Sequence, residues 1–354
     1  MKTEIIKVDP RFPELDKISY CARVIRRGGL VVFPTETVYG IAADFGNPAA
    51  MQRLREVKKR SDGKPFSVLI SQKGLISNYT ISSKTAIYKL IDVYWPGPLT
   101  IVVPSKEEGK TIGIRMPDNP VALRLVEESQ CTVAAPSANA EGNAPPSTVQ
   151  EALRDLDGLV DCAIDGGRTT LGRSSTVVDM TQDQPCILRN GAISQEDISR
   201  VIGKKIILFV CTGNSCRSVM AEYLLKDYLR GRDNVEVTSA GTGVFIRSTA
   251  SAETIGVLKE EGLDVSAHRS QPVTTILLKK ADLIFVMTRL HRQQILDRVP
   301  EVEKRIYLLK EFAASASDTQ TDLDIPDPIG HDRLTYKHCL VVIKEAINKI
   351  IELV

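Results

Sequence analysis

An apolar run over residues 206–210 ends on Cys211-Thr212-Gly213-Asn214-Ser215-Cys216-Arg217-Ser218 and passes straight into an amphipathic stretch. A β-branched run, a compact polar loop and a helical periodicity, in that order, require a buried strand, a tight turn and a helix whose N-terminus faces the loop. Such a loop points successive backbone N–H groups into one concavity, which suits an anion. Gly213 permits the tight backbone. The amides and the helix dipole favour the thiolate form of Cys211, and Arg217 brings a bidentate fork to the same anion. A nucleophile among phosphate-binding groups predicts attack on phosphorus through a covalent phosphocysteine. Its leaving group needs an acid, and Asp327, in Asp327-Pro328-Ile329-Gly330 before the last helical stretch, is the candidate. Taken singly, each residue has a plainer reading. A cysteine ending a strand is ordinarily core, Asp-Pro is ordinarily a turn, and a cysteine pair can bind metal. None of the four histidines stands beside this loop in sequence, which disfavours zinc, and no protein-held metal is expected.

The order around this loop is regular. Strands are predicted over 206–210, 235–239, 283–286 and 306–309, followed by helices over 218–229, 250–261, 290–299 and 336–353. Four strands each followed by a helix predict a four-stranded parallel sheet with right-handed crossovers. In the first half the candidate strands are 30–34, 66–70, 99–103, 112–115, 132–135 and 176–180, with helices after Asn47-Pro48 and over 84–94 and 148–156. Several of these strands are too close for helical crossovers, so a mixed sheet with antiparallel pairs is expected. A strand at 187–189 and a short helix at 194–202, opened by a capping box of Ser194 and Asp197, lead to Gly203. With 354 residues, two domains are expected, and the boundary falls there: 1–203 with a short linker helix, and 204–354. No segment approaches the roughly 20 apolar residues of a membrane span. Residues 1–10 carry no apolar signal-peptide core, and the seven cysteines are scattered, so a cytoplasmic protein is expected. The net charge of +2 is too small to mark a nucleic-acid binder.

The first half contains no G-x-x-x-x-G-K-[ST] loop, so a Walker-type ATPase is disfavoured. Polar clusters sit instead at strand ends: Pro34 to Gly40, Lys58-Lys59-Arg60, Ile114-Arg115, Ala135 to Asn139, and Ser174-Ser175. Lys58 and Arg60 can converge on a polyphosphate, with Ser137 and Asn139 supplying short donors to the same anion. Individually these are solvated charges and turn residues.

In this order the clusters resemble the YrdC family across nearly all of residues 1–195. The resemblance implies an enzyme that makes threonylcarbamoyl-AMP from L-threonine, bicarbonate and ATP with magnesium. Pyrophosphate is released, and tRNA is served indirectly through a threonylcarbamoyl transferase. It further implies Lys58, Arg60, Ser137, Asn139 and Arg189 as ATP or adenylate ligands, and Thr35, Arg115 and Ser175 around threonine. Ser61 stands where the family usually has proline. From about Lys205 onward the chain resembles the low-molecular-weight protein tyrosine phosphatases. That implies Cys211 as nucleophile, Arg217 as phosphate clamp and Asp327 as acid, with Thr212, Gly213, Asn214, Ser215, Cys216 and Ser218 forming the loop, and no cofactor. Cys216 then matches a second loop cysteine able to protect the nucleophile as a reversible disulfide. The expected substrate is a phosphorylated protein or a small phosphorylated molecule. In tyrosine-directed relatives the position of Ser215 is usually isoleucine, and in arginine-directed ones threonine, so phosphoarginine is favoured. The alternatives are a nucleotide or double-stranded RNA binding module in the first half, and a regulatory protein-tyrosine phosphatase, a thiol redox protein or an arsenate reductase in the second.

Overall fold

The structure is a computed structural model and describes residues 2–59, 65–312 and 323–351. Its contacts divide the chain into two compact units, 1–82 with 89–201, and 83–88 with 202–354.

The first unit is built on a ten-stranded mixed sheet. In spatial order its strands are Glu4–Lys7, Cys162–Asp165, Val31–Phe33, Gly40–Asp44, Val133–Ala134, Ser67–Leu69, Thr111–Arg115, Leu99–Pro104, Thr176–Asp179 and Cys186–Arg189. Parallel pairs such as Ser67–Leu69 with Thr111–Arg115 alternate with antiparallel ones such as Val31–Phe33 with Gly40–Asp44, as the short connections require. The period of two along a strand decides what covers each face. Val31 and Phe33 point to one side, where they meet Ile18, Cys21 and Ile25 of helix Leu15–Arg26 and Val121 and Leu125 of helix Pro120–Ser129. Leu30 and Val32 point to the other, against Ala50 and Leu54 of helix Pro48–Lys58 and Ala152 and Leu156 of helix Val149–Leu156. Each fully buried side chain of this size contributes about 1.5–3 kcal/mol.

The helix after Asn47-Pro48 starts as expected, with the Asn47 side chain accepting from the amides of Ala49 and Ala50. Asn119-Pro120 repeats that grammar at the head of Pro120–Ser129, a helix absent from the expectations above, as is Leu15–Arg26. Three strands were likewise not expected: Glu4–Lys7, Gly40–Asp44 and Cys162–Asp165. The last two are short and contain alanine, which has little strand preference, so only the neighbouring strands specify them.

In the second unit the four parallel strands run in the order Val235–Gly241, Lys205–Cys211, Leu283–Val286 and Ile306–Leu308. Phe209 stacks on Phe285 across the centre at 5.5 Å. Helices Arg217–Tyr228, Ala252–Glu260, Arg289–Arg298 and Arg333–Ile351 lie within a few residues of their expected positions, and a short helix, Thr275–Lys280, is additional. The mixed and four-stranded parallel sheets are those the sequence predicts. Helix Gln195–Gly203 opens with the expected capping box, the Ser194 hydroxyl accepting from the amide of Asp197 at 3.1 Å. Among the described residues no helix is long and apolar enough to cross a membrane.

Candidate active sites

In the first unit five strand ends deliver polar residues to one cleft of about 320 Å³. Thr35 follows Val31–Phe33, Arg115 ends its strand, Ser137 follows Val133–Ala134, Ser175 precedes Thr176–Asp179, and Arg189 ends the edge strand. All five line the cleft.

Their hydrogen bonds divide the labour. The Thr35 hydroxyl donates to the Val38 carbonyl at 2.7 Å and accepts from the amides of Thr37 and Val38, so it is largely spent in fixing its own turn. Arg115 is 8% exposed, and its Nη2 donates to Glu36 Oε1 at 2.6 Å and Thr37 Oγ1 at 2.8 Å, its Nε to the Gly97 carbonyl. Arg189 clamps Ser175 from two sides, through the side-chain oxygen at 2.8 Å and the carbonyl at 3.0 Å. The Ser175 hydroxyl also meets Thr100 Oγ1 at 2.9 Å. Gly191 presses on this segment, and a Cβ there would come within 2.4 Å of the backbone of Ser174 to Thr176.

Lys58 and Asn139 are not among the lining residues. Lys58, 3% exposed, donates from Nζ to the carbonyls of Ser137, at 2.6 Å, and of Asn139. Its ammonium therefore pins the Ser137-to-Asn139 loop to the end of helix Pro48–Lys58. Asn139 turns its amide back onto the carbonyls of Ala140 and Asn143. Arg60 lies outside the described residues. Glu36 and Thr37, inside the polar cluster from Pro34 to Gly40, and Thr100 make polar contacts to which the sequence reading gave no individual role. Glu36 stands between two threonines, and nothing local marks a carboxylate as buried against an arginine 79 positions away.

The second site forms where Lys205–Cys211 meets Arg217–Tyr228. Cys211 Sγ lies 3.0 Å from Ser218 Oγ and accepts the amide of Asn214 at 3.3 Å. Asn214, fully buried with φ at 50°, is the hub. Its Nδ2 donates to Ser218 Oγ and Ser239 Oγ at 3.0 and 2.7 Å, and its Oδ1 accepts the amide of Gln271 at 2.9 Å. Ser239 passes the chain on to the Glu222 carboxylate, and His268 Nε2 meets the Asn214 carbonyl at 2.8 Å. Arg217, 3% exposed, donates to the Ile325 carbonyl and to Asp327 Oδ2, while its Nε is buried without a partner among the described residues. The loop that carries Cys211, the Arg217 guanidinium and the Asp327 carboxylate are thereby brought together. Thr212 and Gly213 lie exposed at the loop's outer edge, and Ser215 is half-buried, 3.6 Å from Cys216 Sγ. The Cys216 thiol also contacts Ser251 and Tyr336, and all seven cysteines are free.

His291, unremarked in the sequence, bridges Thr212 Oγ1 and Thr288 Oγ1 at 2.9 and 2.8 Å. Burial lowers its pKa to about 4, and the Arg217 charge adds to the effect, so at neutral pH it is an uncharged brace for the loop. Glu222, Ser239 and His268 were also missed. Ser239 sits on the strand Val235–Gly241 and His268 in a connecting segment, while Glu222, in the helix that opens at the loop, acts through Ser239; none carries a local signature.

Two family descriptions match these two units. Residues 23–191 match the Sua5/YciO/YrdC family, described as Telomere recombination, and residues 206–354 match the low molecular weight phosphotyrosine protein phosphatase family. Threonylcarbamoyl-AMP synthase from Pyrococcus abyssi is 38% identical over 210 residues, which are 57% of this chain and 62% of that one. A putative threonylcarbamoyl-AMP synthase from Mycobacterium tuberculosis is 36% identical over 187 residues, covering 51% of this chain and 86% of that one. A crystal structure of P. abyssi Sua5 complexed with L-threonine superposes with a TM-score of 0.54 at 25% identity, covering 97% of this chain and 98% of that one. The chain thus belongs to the Sua5/YciO/YrdC family through its first unit, fused to a domain of the low molecular weight phosphatase family. It spans between 49% and 62% of the length of the curated synthases from P. abyssi, Bacillus subtilis and Schizosaccharomyces pombe that it matches.

Proposed function

We propose that the chain is a bifunctional enzyme with a synthase domain, 1–203, and a phosphatase domain, 204–354. The first joins L-threonine, bicarbonate and ATP into L-threonylcarbamoyl-AMP, releasing pyrophosphate and water. The single observation behind this is the convergence of Thr35, Arg115, Ser137, Ser175 and Arg189 on one cleft in a member of this family. The chemistry asks for positioning more than for a protein nucleophile. The threonine amine adds to bicarbonate carbon with loss of water, and a carbamate oxygen then displaces pyrophosphate from the α-phosphorus. Arg115 suits the threonine carboxylate through Nη1, which makes no hydrogen bond to the described protein. Arg189 and the Ser137 loop, pinned by Lys58, suit the nucleotide. Magnesium belongs to this proposal as an ion carried by the ATP phosphates, which keeps several waters and needs no cage of protein ligands; among the described residues no group of three or more His, Cys, Asp or Glu could hold a metal ion. A cytoplasmic setting, with tRNA served through a separate transferase, belongs to the same proposal. Mass spectrometry after incubation with ATP, L-threonine and bicarbonate tests it: threonylcarbamoyl-AMP is expected, and its absence from a folded preparation supplied with magnesium would overturn the reading.

In the second domain the Cys211 thiolate attacks phosphorus, forming an S–P bond while Asp327 protonates the leaving atom. Water then attacks the phosphocysteine, giving its proton to Asp327 and restoring the thiolate. Ser215 supports phosphoarginine as the favoured substrate. Among the described residues its half-buried hydroxyl has only a long contact to Cys216 sulfur, which leaves it able to serve a guanidinium or its hydration water. Burying it unpaired against a phenyl ring would cost about 1–3 kcal/mol. Ile329, 58% exposed after Asp327-Pro328, offers no aromatic wall. Wild type is expected to show the higher kcat/KM for phosphoarginine, and Ser215→Ile to move the ratio toward phosphotyrosine by about tenfold, or ~1.4 kcal/mol. A wild type that prefers phosphotyrosine, or a ratio unmoved by the substitution, would refute the assignment.

A further inference from the structure

Behind Arg115 and next to Thr35, both of which line the synthase cleft, lies a buried carboxylate that does not itself line it and to which the proposed reaction gives no task. Glu36 is 6% exposed, and its Oε1 accepts from Arg115 Nη2 at 2.6 Å. Its other oxygen, Oε2, is buried and has no hydrogen-bond partner among the described residues. A carboxylate oxygen left without a donor in a dry place is costly, and such costs gather where a site has work to do. The pair also fixes geometry. With Nη2 held by Glu36 and Thr37 and Nε held by the Gly97 carbonyl, the Arg115 guanidinium cannot rotate, and Nη1 is its remaining donor group.

Charge bookkeeping carries the inference further. A lone buried arginine attracts any carboxylate, and bicarbonate or a simple hydroxy acid would compete with an amino acid for it. An arginine already balanced by a buried glutamate loses that indiscriminate pull, because adding a bare anion leaves the locality with one uncompensated negative charge. A zwitterion adds no net charge: its carboxylate meets Arg115 while its ammonium answers the Glu36 charge. We infer that Glu36 is a specificity-determining residue that makes the cleft select a zwitterionic α-amino acid over a plain carboxylic acid. This rests on the reading of the cleft as an amino-acid site.

The test compares L-threonine with 3-hydroxybutyrate, the same skeleton without its amine, by titration calorimetry on the full chain. Wild type is expected to bind L-threonine at least about tenfold more tightly. Glu36→Gln preserves shape and removes charge, and should compress that ratio to within about threefold, mainly by weakening L-threonine. Thr37→Val removes a neutral partner of the same nitrogen and should weaken both ligands alike while leaving the ratio intact. A Glu36→Gln protein that keeps the full ratio, or a Thr37→Val protein that collapses it equally, overturns the inference. So does a wild type that binds the two ligands equally, a measurement that stands even if Glu36→Gln does not fold. A wild type that binds neither ligand removes the amino-acid reading of the cleft, and the role of Glu36 with it.

Discussion

Cys211→Ser is expected to stop phosphatase turnover, lowering kcat on an aryl phosphate such as p-nitrophenyl phosphate by about a thousandfold or more. A hydroxyl ionises far less readily than a thiol, and the proposed mechanism needs the sulfur of Cys211 as the attacking atom. Ser218 Oγ at 3.0 Å and the Asn214 amide at 3.3 Å both approach Sγ, and the helix Arg217–Tyr228 begins beside it. The substitution removes one buried atom's chemistry and little packing, so the unfolding midpoint should hardly move. Formation of threonylcarbamoyl-AMP should persist at the wild-type rate, since the proposed synthase residues all belong to the other unit. Loss of both activities in a folded Cys211→Ser protein would show two coupled sites and defeat the proposal of independent enzymes.

Lys58→Ala should cost the synthase both activity and stability. The Lys58 ammonium is nearly fully buried and satisfies the carbonyls of Ser137 and Asn139. Hydrogen bonds from a charged donor contribute about 1.5–3 kcal/mol, and truncation also leaves two carbonyls to find water. The loop carrying Ser137 would then lose its anchor beside the cleft, and adenylate formation should fall by about a hundredfold or more. Lys58→Met, which keeps the stem but not the charge, separates packing from pinning: it should recover part of the unfolding midpoint and none of the activity. Wild-type yields of threonylcarbamoyl-AMP from a folded Lys58→Ala preparation would remove Lys58 from the site. The sequence implies the same loss for Arg60→Ala, and that variant is measured alongside.

The parallel sheet of the second unit was legible because strands such as 206–210 and 283–286 are uninterrupted apolar runs, each followed after a short polar segment by a stretch long enough for a helix. In the first unit the same reading found the strands rich in valine and isoleucine and missed Gly40–Asp44 and Cys162–Asp165, whose conformation is imposed by pairing on both sides. Helix Pro120–Ser129 carried a visible signal, the Asn119-Pro120 pair, identical in kind to the one read at Asn47-Pro48. Site chemistry followed a similar division. Residues inside compact motifs, from Cys211 to Ser218, could be picked out together because the motif is contiguous. Their supports could not. Ser239, His268 and His291 come from a strand, a connecting segment and a helix distant in sequence, and Glu36 meets Arg115 across 79 positions, so only folding makes them neighbours; Glu222 lies in the helix that opens at the loop but meets it only through Ser239.

Asn214 illustrates how narrowly a single position can be written. Its φ of 50° is a conformation in which glycine is the easiest occupant, yet glycine would forfeit every hydrogen bond that its side chain makes to Ser218, Ser239 and Gln271. Aspartate tolerates the same backbone but has no amide hydrogens to give, and it would bring a negative charge toward the sulfur of Cys211. Glutamine has the right head group on a stem one carbon too long for a fully enclosed space. Each filter alone admits several amino acids, and their intersection admits one. A mutational walk through this loop therefore finds none of these three neighbours passable at Asn214, whereas Ser215, with one long side-chain contact among the described residues, is under no such constraint.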